Sequence, residues 1–355
     1  MRNYIKNYCY ILSIVMISLP LMELQAGNPD RKGQAGASDL LINSWARSSG
    51  FANANSSCVK GLEASFMNIA GTAFTSKTEV IFSHTNLMQG SGISINSLGL
   101  TQRVGESGVL GLSLNSMNAG DIAITTTDQP EGKIGTFSPR FVNLGLSYAK
   151  EFSHSIYGGI NVKIISASIA DLKASGVAFD AGIQYVTGKR DNVHFGIALK
   201  NVGAPLAFSG DGLSARATLA SNTSASLTVD QRAAKYEMPS LINIGGAYDF
   251  YTSSVDTSNK FTLAYTFVSN SFTSNQHCVG LEYGFRKMFM LRGGYVFEKD
   301  LFDDVLRTTA LSGPTAGLTI EVPLGKGGST FGVDYSYRAT NPFQGSHSLG
   351  VRINL

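Results

Sequence analysis

The end of the chain constrains its fold more than any other stretch. In the run His347-Ser348-Leu349-Gly350-Val351-Arg352-Ile353-Asn354-Leu355, the residues Leu349, Val351, Ile353 and Leu355 fall on one face of a strand. Ser348, Gly350, Arg352 and Asn354 fall on the other. Strand side chains have a period of two, so this run gives one apolar and one polar face. From residue 78 onward the pattern recurs about fourteen times, separated by clusters of Gly, Asn, Asp and Ser. The strand centres fall near residues 81, 97, 113, 146, 161, 182, 197, 246, 264, 281, 294, 320, 335 and 351. The clearest segments include Val142-Leu144-Leu146-Tyr148, Val177-Phe179-Ala181-Ile183-Tyr185 and Phe331-Val333-Tyr335-Tyr337.

The other end predicts export. Arg2 and Lys6 precede an apolar run over residues 11–22, and Leu24-Gln25-Ala26 offers a small residue for cleavage before Gly27. That run is too short to span a bilayer, so residues 1–26 read as a removable leader. Cys9 lies before the run, not at the cleavage point, which argues against a lipoprotein. No later run approaches the roughly 18 apolar residues of a membrane helix. A chain of this kind can enter a membrane only as a closed barrel, because open sheet edges are not tolerated in lipid. Charged residues make up 15% of the chain, against about 25% in soluble proteins. The expectation is an all-β, antiparallel transmembrane barrel of about fourteen strands in the outer membrane. A net charge of +3 gives no reason to invoke nucleic acid. Cys58 and Cys278 remain after the leader, and the sequence leaves open whether they pair.

Loop lengths and aromatics support the barrel. With the first strand running outward, the inner turns at 105–107, 152–155, 188–192, 286–288 and 325–328 are short. The turn at 253–259 is longer. The three longest connections, 120–140, 203–240 and 299–315, all fall on the outer side, as transmembrane barrels require. Tyr148, Tyr185, Tyr248, Phe250, Tyr283 and Phe285 end inward-running strands. Phe267, Tyr295, Phe297, Tyr335 and Tyr337 end outward-running ones. Rings are thus placed near both interfaces.

The inward face carries many glycines, among them Gly145, Gly159, Gly182, Gly196, Gly294 and Gly350. Glycine weakens a strand unless something approaches closely, so the lumen is expected to be occupied. The same face carries Asn161 and a candidate polar network of Lys163, Asp180, Glu282, Arg292, Glu321, Asp334 and Arg352. Charges inside a barrel must be paired or wet. The short turn at 286–288 sets Glu282 opposite Arg292, and the pair is expected to face the lumen. The expected occupant is the N-terminal region, residues 27–76, with the barrel over 77–355. Residues 38–42 predict a short helix start with a capping side chain. Residues 46–50 and 68–71 read as turns. A periplasmic tail is the competing reading of this region.

Local signals for chemistry are missing. The histidines at 84, 154, 194, 277 and 347 are isolated, with no H-E-x-x-H and no G-x-S-x-G. Residues 325–329 (GKGGS) lack phosphate-loop spacing, and Asp300, Asp303 and Asp304 lack the order of an EF-hand. No enzyme activity and no cofactor are expected.

Several segments resemble PorV/PorQ proteins: Ala46-Arg47-Ser48-Ser49-Gly50, then Asn68-Ile69-Ala70-Gly71, then the strand segments VAFDAGIQY (177–185), IALKNVGAPL (197–206) and MPSLINIGGAYDF (238–250). Arg47, Asn68 and Gly71 are the plug-motif residues of this resemblance. The family usually has Asn-Pro-Ala where this chain has Asn68-Ile69-Ala70, and residues 51–53 replace its glycines. The resemblance implies a barrel similar to FadL fatty-acid transporters, with an N-terminal segment in the lumen. It also implies work in the type IX secretion system of Bacteroidota. The implied partners are the secretion translocon, the C-terminal domains of secreted cargo, and attachment-complex proteins. In the long connection 203–240, Leu206, Phe208, Leu213, Leu219 and Leu227 are candidate partner-binding residues, because such a loop can dock a β-domain through pockets or strand addition. The competing functional reading is a transporter of small hydrophobic compounds, and a third is a purely structural barrel.

Overall fold

The structure is a computed structural model that describes residues 31, 33–218, 226–252, 258–303, 307, 309–325 and 328–355. The expected leader, Leu219, Asp304 and part of the turn at 253–259 lie outside the described residues.

Among the described residues, eighteen strands follow in chain order: β1 (Thr78–Leu87), β2 (Ile93–Val104), β3 (Gly108–Asn118), β4 (Ile122–Ala123), β5 (Thr136–Phe137), β6 (Arg140–Ser153), β7 (Ile156–Ile169), β8 (Leu172–Thr187) and β9 (Val193–Gly203). They continue with β10 (Ser214–Thr218), β11 (Ser226–Asp230), β12 (Leu241–Tyr251), β13 (Lys260–Asn270), β14 (Gln276–Phe285), β15 (Phe289–Glu298), β16 (Gly313–Pro323), β17 (Thr330–Arg338) and β18 (Ser346–Asn354). Fourteen of them form one closed antiparallel barrel. β4–β5 and β10–β11 form separate two-stranded ribbons within long connections. Every strand centre read from the sequence lies inside a barrel strand.

Closure comes from the chain ends of the sheet. β18 pairs with β1 from Glu79↔Asn354 to Asn86↔His347, and Leu355 N–H donates to Thr78 O at 2.9 Å. The ring has no free edge, which is the condition for a sheet to sit in hydrocarbon. Alternation then sorts side chains by face. Leu146, Ile160, Ile183, Ile197, Leu281 and Leu291 point outward and are exposed. Their neighbours Ser147, Asn161, Gln184 and Arg292 are buried. A water-soluble sandwich would show the opposite arrangement, with its apolar face covered.

The segment before β1 occupies the lumen. It contains a 3-10 turn at Ser38–Leu41, one α-helical turn at Ala46–Gly50, another at Ala64–Met67, and a 3-10 helix at Ile69–Phe74. Two expectations need correction here. Residues 46–50 and 69–71 are helical, not open turns. The cap of the Ser38–Leu41 turn is Ala37 in the left-handed region, with no side-chain cap. The reason is burial. Trp45, Ser48, Ala52, Ser56, Ala64 and Thr72 are almost fully buried, and tight turns satisfy backbone groups that water cannot reach.

Ile183 and Leu281 are each more than half exposed on the outer wall. Replacing either with Arg places a charge in lipid and should destabilise the folded barrel by about 2–4 kcal/mol at mid-membrane depth. Urea titration of folding into lipid vesicles measures this; a loss below about 0.5 kcal/mol at both sites would show that the wall does not face hydrocarbon.

Candidate functional site

The filled lumen is held at points all around the wall. Ser83 on β1 donates to Ser44 O at 2.7 Å, and Glu79 on the same strand accepts from Leu62 N–H at 2.6 Å. Asn68 donates to Ile183 O of β8 at 3.0 Å, and Gln184 donates to Val59 O at 3.1 Å. Asn243 on β12 donates to Met67 O at 3.1 Å, and Thr266 on β13 to Ala54 O at 2.8 Å. Thr315 on β16 donates to Gly50 O at 3.1 Å, and Arg338 on β17 to Ser49 Oγ at 2.7 Å. Each bond satisfies a buried polar group that would otherwise cost about 1–3 kcal/mol.

Of the plug-motif residues, Asn68 caps the Ile69–Phe74 helix by accepting from Ala70 N–H at 3.2 Å while its amide reaches the wall. A methyl group at Gly182 would overlap Asn68 Oδ1, and one at Gly71 would overlap Val59 O. Close approach accounts for both glycines. Arg47 is half-buried in the Ala46–Gly50 turn. Burial opposes its charge, but the carboxylates of Glu63, Asp334, Glu282 and Glu321 outweigh that and hold its pKa above the ordinary arginine value. Glu63 also accepts from Ser48 N–H at 3.1 Å and Ser48 Oγ at 2.7 Å, which ties the two helical turns together.

The charged residues of the inward face form separate clusters. Lys163 pairs with Asp180 at 2.8 Å. Arg292 pairs with Glu282 at 2.5 Å and donates to Thr319 at 2.6 Å. Arg352 reaches Glu321 at 2.6 Å, Asp334 at 3.8 Å and Glu79 at 4.0 Å. A further group, Asp249 with Lys260 at 3.1 Å and His194 at 3.4 Å, went unremarked in the sequence. It sits on the same inward parity, as do Glu79, Gln184, Asn243 and Thr266, so the alternation itself was the available signal. Cys58 and Cys278 are both free thiols, and burial pushes the Cys58 pKa up to about 12.

Among the described residues the lumen holds cavities, three of which bear on function. One of about 110 Å3 lies toward the inner end among Arg47, Lys60, Glu63, Asp249, Lys260 and Arg292. One of about 40 Å3 lies beside Asp39, Asn143, Lys163 and Lys200. Burial pushes the Asp39 carboxyl above its ordinary range, against the hydrogen bond from Asn143. The third, about 330 Å3, lies beneath the outer connections and includes Leu41, Phe66, Lys200, Leu241, Val296 and Arg338 in its lining. Its volume is at the low end of small-ligand pockets, about 300–1,000 Å3.

The outer-connection residues divide. Leu206 is buried against Leu40, Ile165 and Met238. It anchors the loop and offers a partner no surface, which corrects its reading as a contact residue. Phe208 and Leu213 are half-buried, with the Phe208 ring 5.7 Å from that of Tyr236. Leu227 and Val229 on β11 are exposed.

No family model matches the chain, and no curated protein matches it in sequence. Solved structures do. The Pseudomonas putida toluene transporter TodX is similar with a TM-score of 0.55 at 12% identity, over 88% of this chain and 97% of TodX. A Pseudomonas aeruginosa FadL homologue gives 0.55 at 11% identity, over 88% and 97%. The Ralstonia pickettii toluene transporter TbuX gives 0.51 at 11%, again over 88% and 97%. At such identity the likeness shows a shared fold. The chain is a closed fourteen-stranded outer-membrane barrel, and its location is the outer membrane.

Arg352 is 1% exposed among Glu79, Glu321 and Asp334. Arg352→Met strands these carboxylates and should cost about 3–5 kcal/mol. Loss of the folded, fast-migrating band in unheated gels at lower urea reports it; an unchanged midpoint would show that the cluster is not needed for closure.

Proposed function

We propose that this chain works at its outer face on protein, as a secretion-associated barrel that binds or shuttles exported cargo between a translocon and a cell-surface attachment complex. The observation that carries this reading is the anchorage of the lumen. The N-terminal segment is bonded to strands on every side, from Ser83 to Arg338, so passage through the centre would require breaking many buried hydrogen bonds at once. A body that does not conduct has its outer connections left for work. Those carry exposed apolar residues: Ile122, Ile124, Ile134 and Leu227 on and beside two small ribbons with open edges, and Phe302 in the connection 299–315. Open edges and apolar side chains suit docking by strand addition. The resemblance of residues 46–50 and 68–71 to PorV/PorQ proteins supports the same reading and supplies its partners: translocon, cargo C-terminal domains and attachment-complex proteins.

A second reading has its own support. The similar solved structures are named for toluene and monoaromatic hydrocarbons, and they speak for a transporter of small hydrophobic compounds and not for secretion. The cavity of about 330 Å3, lined by Leu41, Phe66, Leu241 and Val296 among polar and charged side chains, is of a size to hold such a compound. Fold alone carries function weakly, and a sealed lumen would require either a moving segment or a lateral exit.

Crosslinked recovery of the barrel from outer membranes separates the two. Secreted proteins recovered by their C-terminal domains support the first reading. Their absence, together with uptake of a labelled aromatic hydrocarbon that is lost on deletion of the chain, would overturn it in favour of the second. Removing residues 207–235 while keeping Leu206 and Tyr236 should abolish cargo recovery and leave the barrel folded.

A further inference from the structure

The barrel wall is taller on one side. β6, β7 and β8 run for 14, 14 and 16 residues, whereas β12 to β18 run for 9 to 11. About 9–11 tilted residues suffice to cross hydrocarbon. The outward face shows where the surplus lies. On β6 the outward residues Tyr148, Leu146, Leu144 and Val142 are followed, toward the outer end, by Arg140. On β7 the run Ile160, Val162 and Ile164 is followed by Ser166 and Ser168. On β8 the run Tyr185, Ile183, Ala181, Phe179 and Val177 is followed by Ser175 and Lys173. The change from apolar to polar is in step across the three strands, because Val142 pairs with Ser166 and Ser166 with Ser175.

Arg140, Ser168 and Lys173 are direct cross-strand partners in one row. Adjacent strands lie about 4.8 Å apart, so the two cations stand roughly 10 Å apart with the serine between them. Arg140, Ser166, Lys173 and Ser175 are exposed. The backbone of Lys173 is fixed by two hydrogen bonds of 2.9 Å with Ser209. Among the described residues neither cation has a carboxylate at ion-pair distance, Asp171 of the adjoining turn included. These two are also alone in their placement among the described barrel strands. Lys163, Lys200, Lys260, Arg292, Arg338 and Arg352 point into the lumen, while Arg103 and Lys150 lie at the inner ends of β2 and β6. Elsewhere the outer rim carries rings instead, with Tyr265 Oη 2.7 Å from His277 Nδ1 and Tyr335 Oη 2.8 Å from His347 Nδ1.

A cation that faces hydrocarbon at mid-depth is costly, and near the interface it is tolerated. Long cationic side chains at that boundary carry their heads into the polar layer, where anionic headgroups attract them. We propose that Arg140, Ser166, Ser168, Lys173 and Ser175 bind the phosphate of one outer-leaflet lipid headgroup against the outside of the barrel. A guanidinium matches two phosphate oxygens at once, an ammonium adds a second charge, and the hydroxyls between them donate hydrogen bonds. The inference rests on the outer-membrane location and on neither reading of what the barrel handles.

The test uses the full mature chain in non-ionic detergent, with native mass spectrometry to measure retention of bisphosphorylated lipid A and of the same lipid after dephosphorylation. The phosphorylated form should bind about thirtyfold more tightly, the worth of two cations near an anionic headgroup. Arg140→Gln and Lys173→Gln should each lose about fivefold and the double variant the whole preference. All three should migrate as folded barrels. Lys150→Gln, a cation removed at the opposite end of β6, should change nothing. Equal retention of the two lipids, a double variant that keeps the preference, or an equal loss in Lys150→Gln would overturn the proposal. Loss of cargo recovery in the double variant, without any lipid preference in the unaltered chain, would overturn it too and give the patch to a protein.

Discussion

Hydrocarbon gives the peptide backbone no hydrogen-bond partner, and the whole architecture answers that shortage. On the wall the answer is fourteen ladders joined end to end, with β18 zipped onto β1. Inside, where water is also excluded, the answer is different. The N-terminal segment folds into single helical turns, and its leftover carbonyls at Ser44, Gly50, Ala54, Val59 and Met67 accept from side chains of the wall. The inward faces of the strands are polar for this reason. They act as the solvent of the segment they enclose.

Electrostatics follow the same rule at higher cost. The inward charges sit in clusters that span adjacent or next-but-one strands. Arg352 is the clearest case, because its partners Glu79, Glu321 and Asp334 come from β1, β16 and β17, on both sides of the closing seam. One guanidinium thereby joins the first strand of the barrel to the last ones. Charges buried in this way add little net stability compared with apolar packing, but a misregistered strand would leave one of them unpaired.

The wall was legible in the sequence because strand periodicity is local: each residue's face is set by its neighbours two positions away. The register Glu282↔Arg292 followed from a three-residue turn at Arg286-Lys287-Met288. The interior was only half legible. That something fills the lumen could be read from glycines such as Gly182, but what the filler's backbone does could not. Its bonds are made to residues far along the chain, Ser49 to Arg338 across 289 positions, and no local pattern encodes them. Leu206 failed for a related reason. An apolar residue in a long loop reads as a surface for others until the fold presents it to Leu40 and Met238 instead.

An even number of wall crossings returns a chain to the side from which it set out. The segment in the lumen breaks that parity. Arg31 pairs with Glu237 at 2.7 Å, and Ala35 bridges the same residue, at the mouth where the long connections emerge. From there the chain descends through the centre before Thr78 begins the ring at the opposite rim, beside Leu355. Arg31 and Leu355 thus lie at opposite mouths of the barrel, and the luminal segment runs the depth of the wall once without joining it.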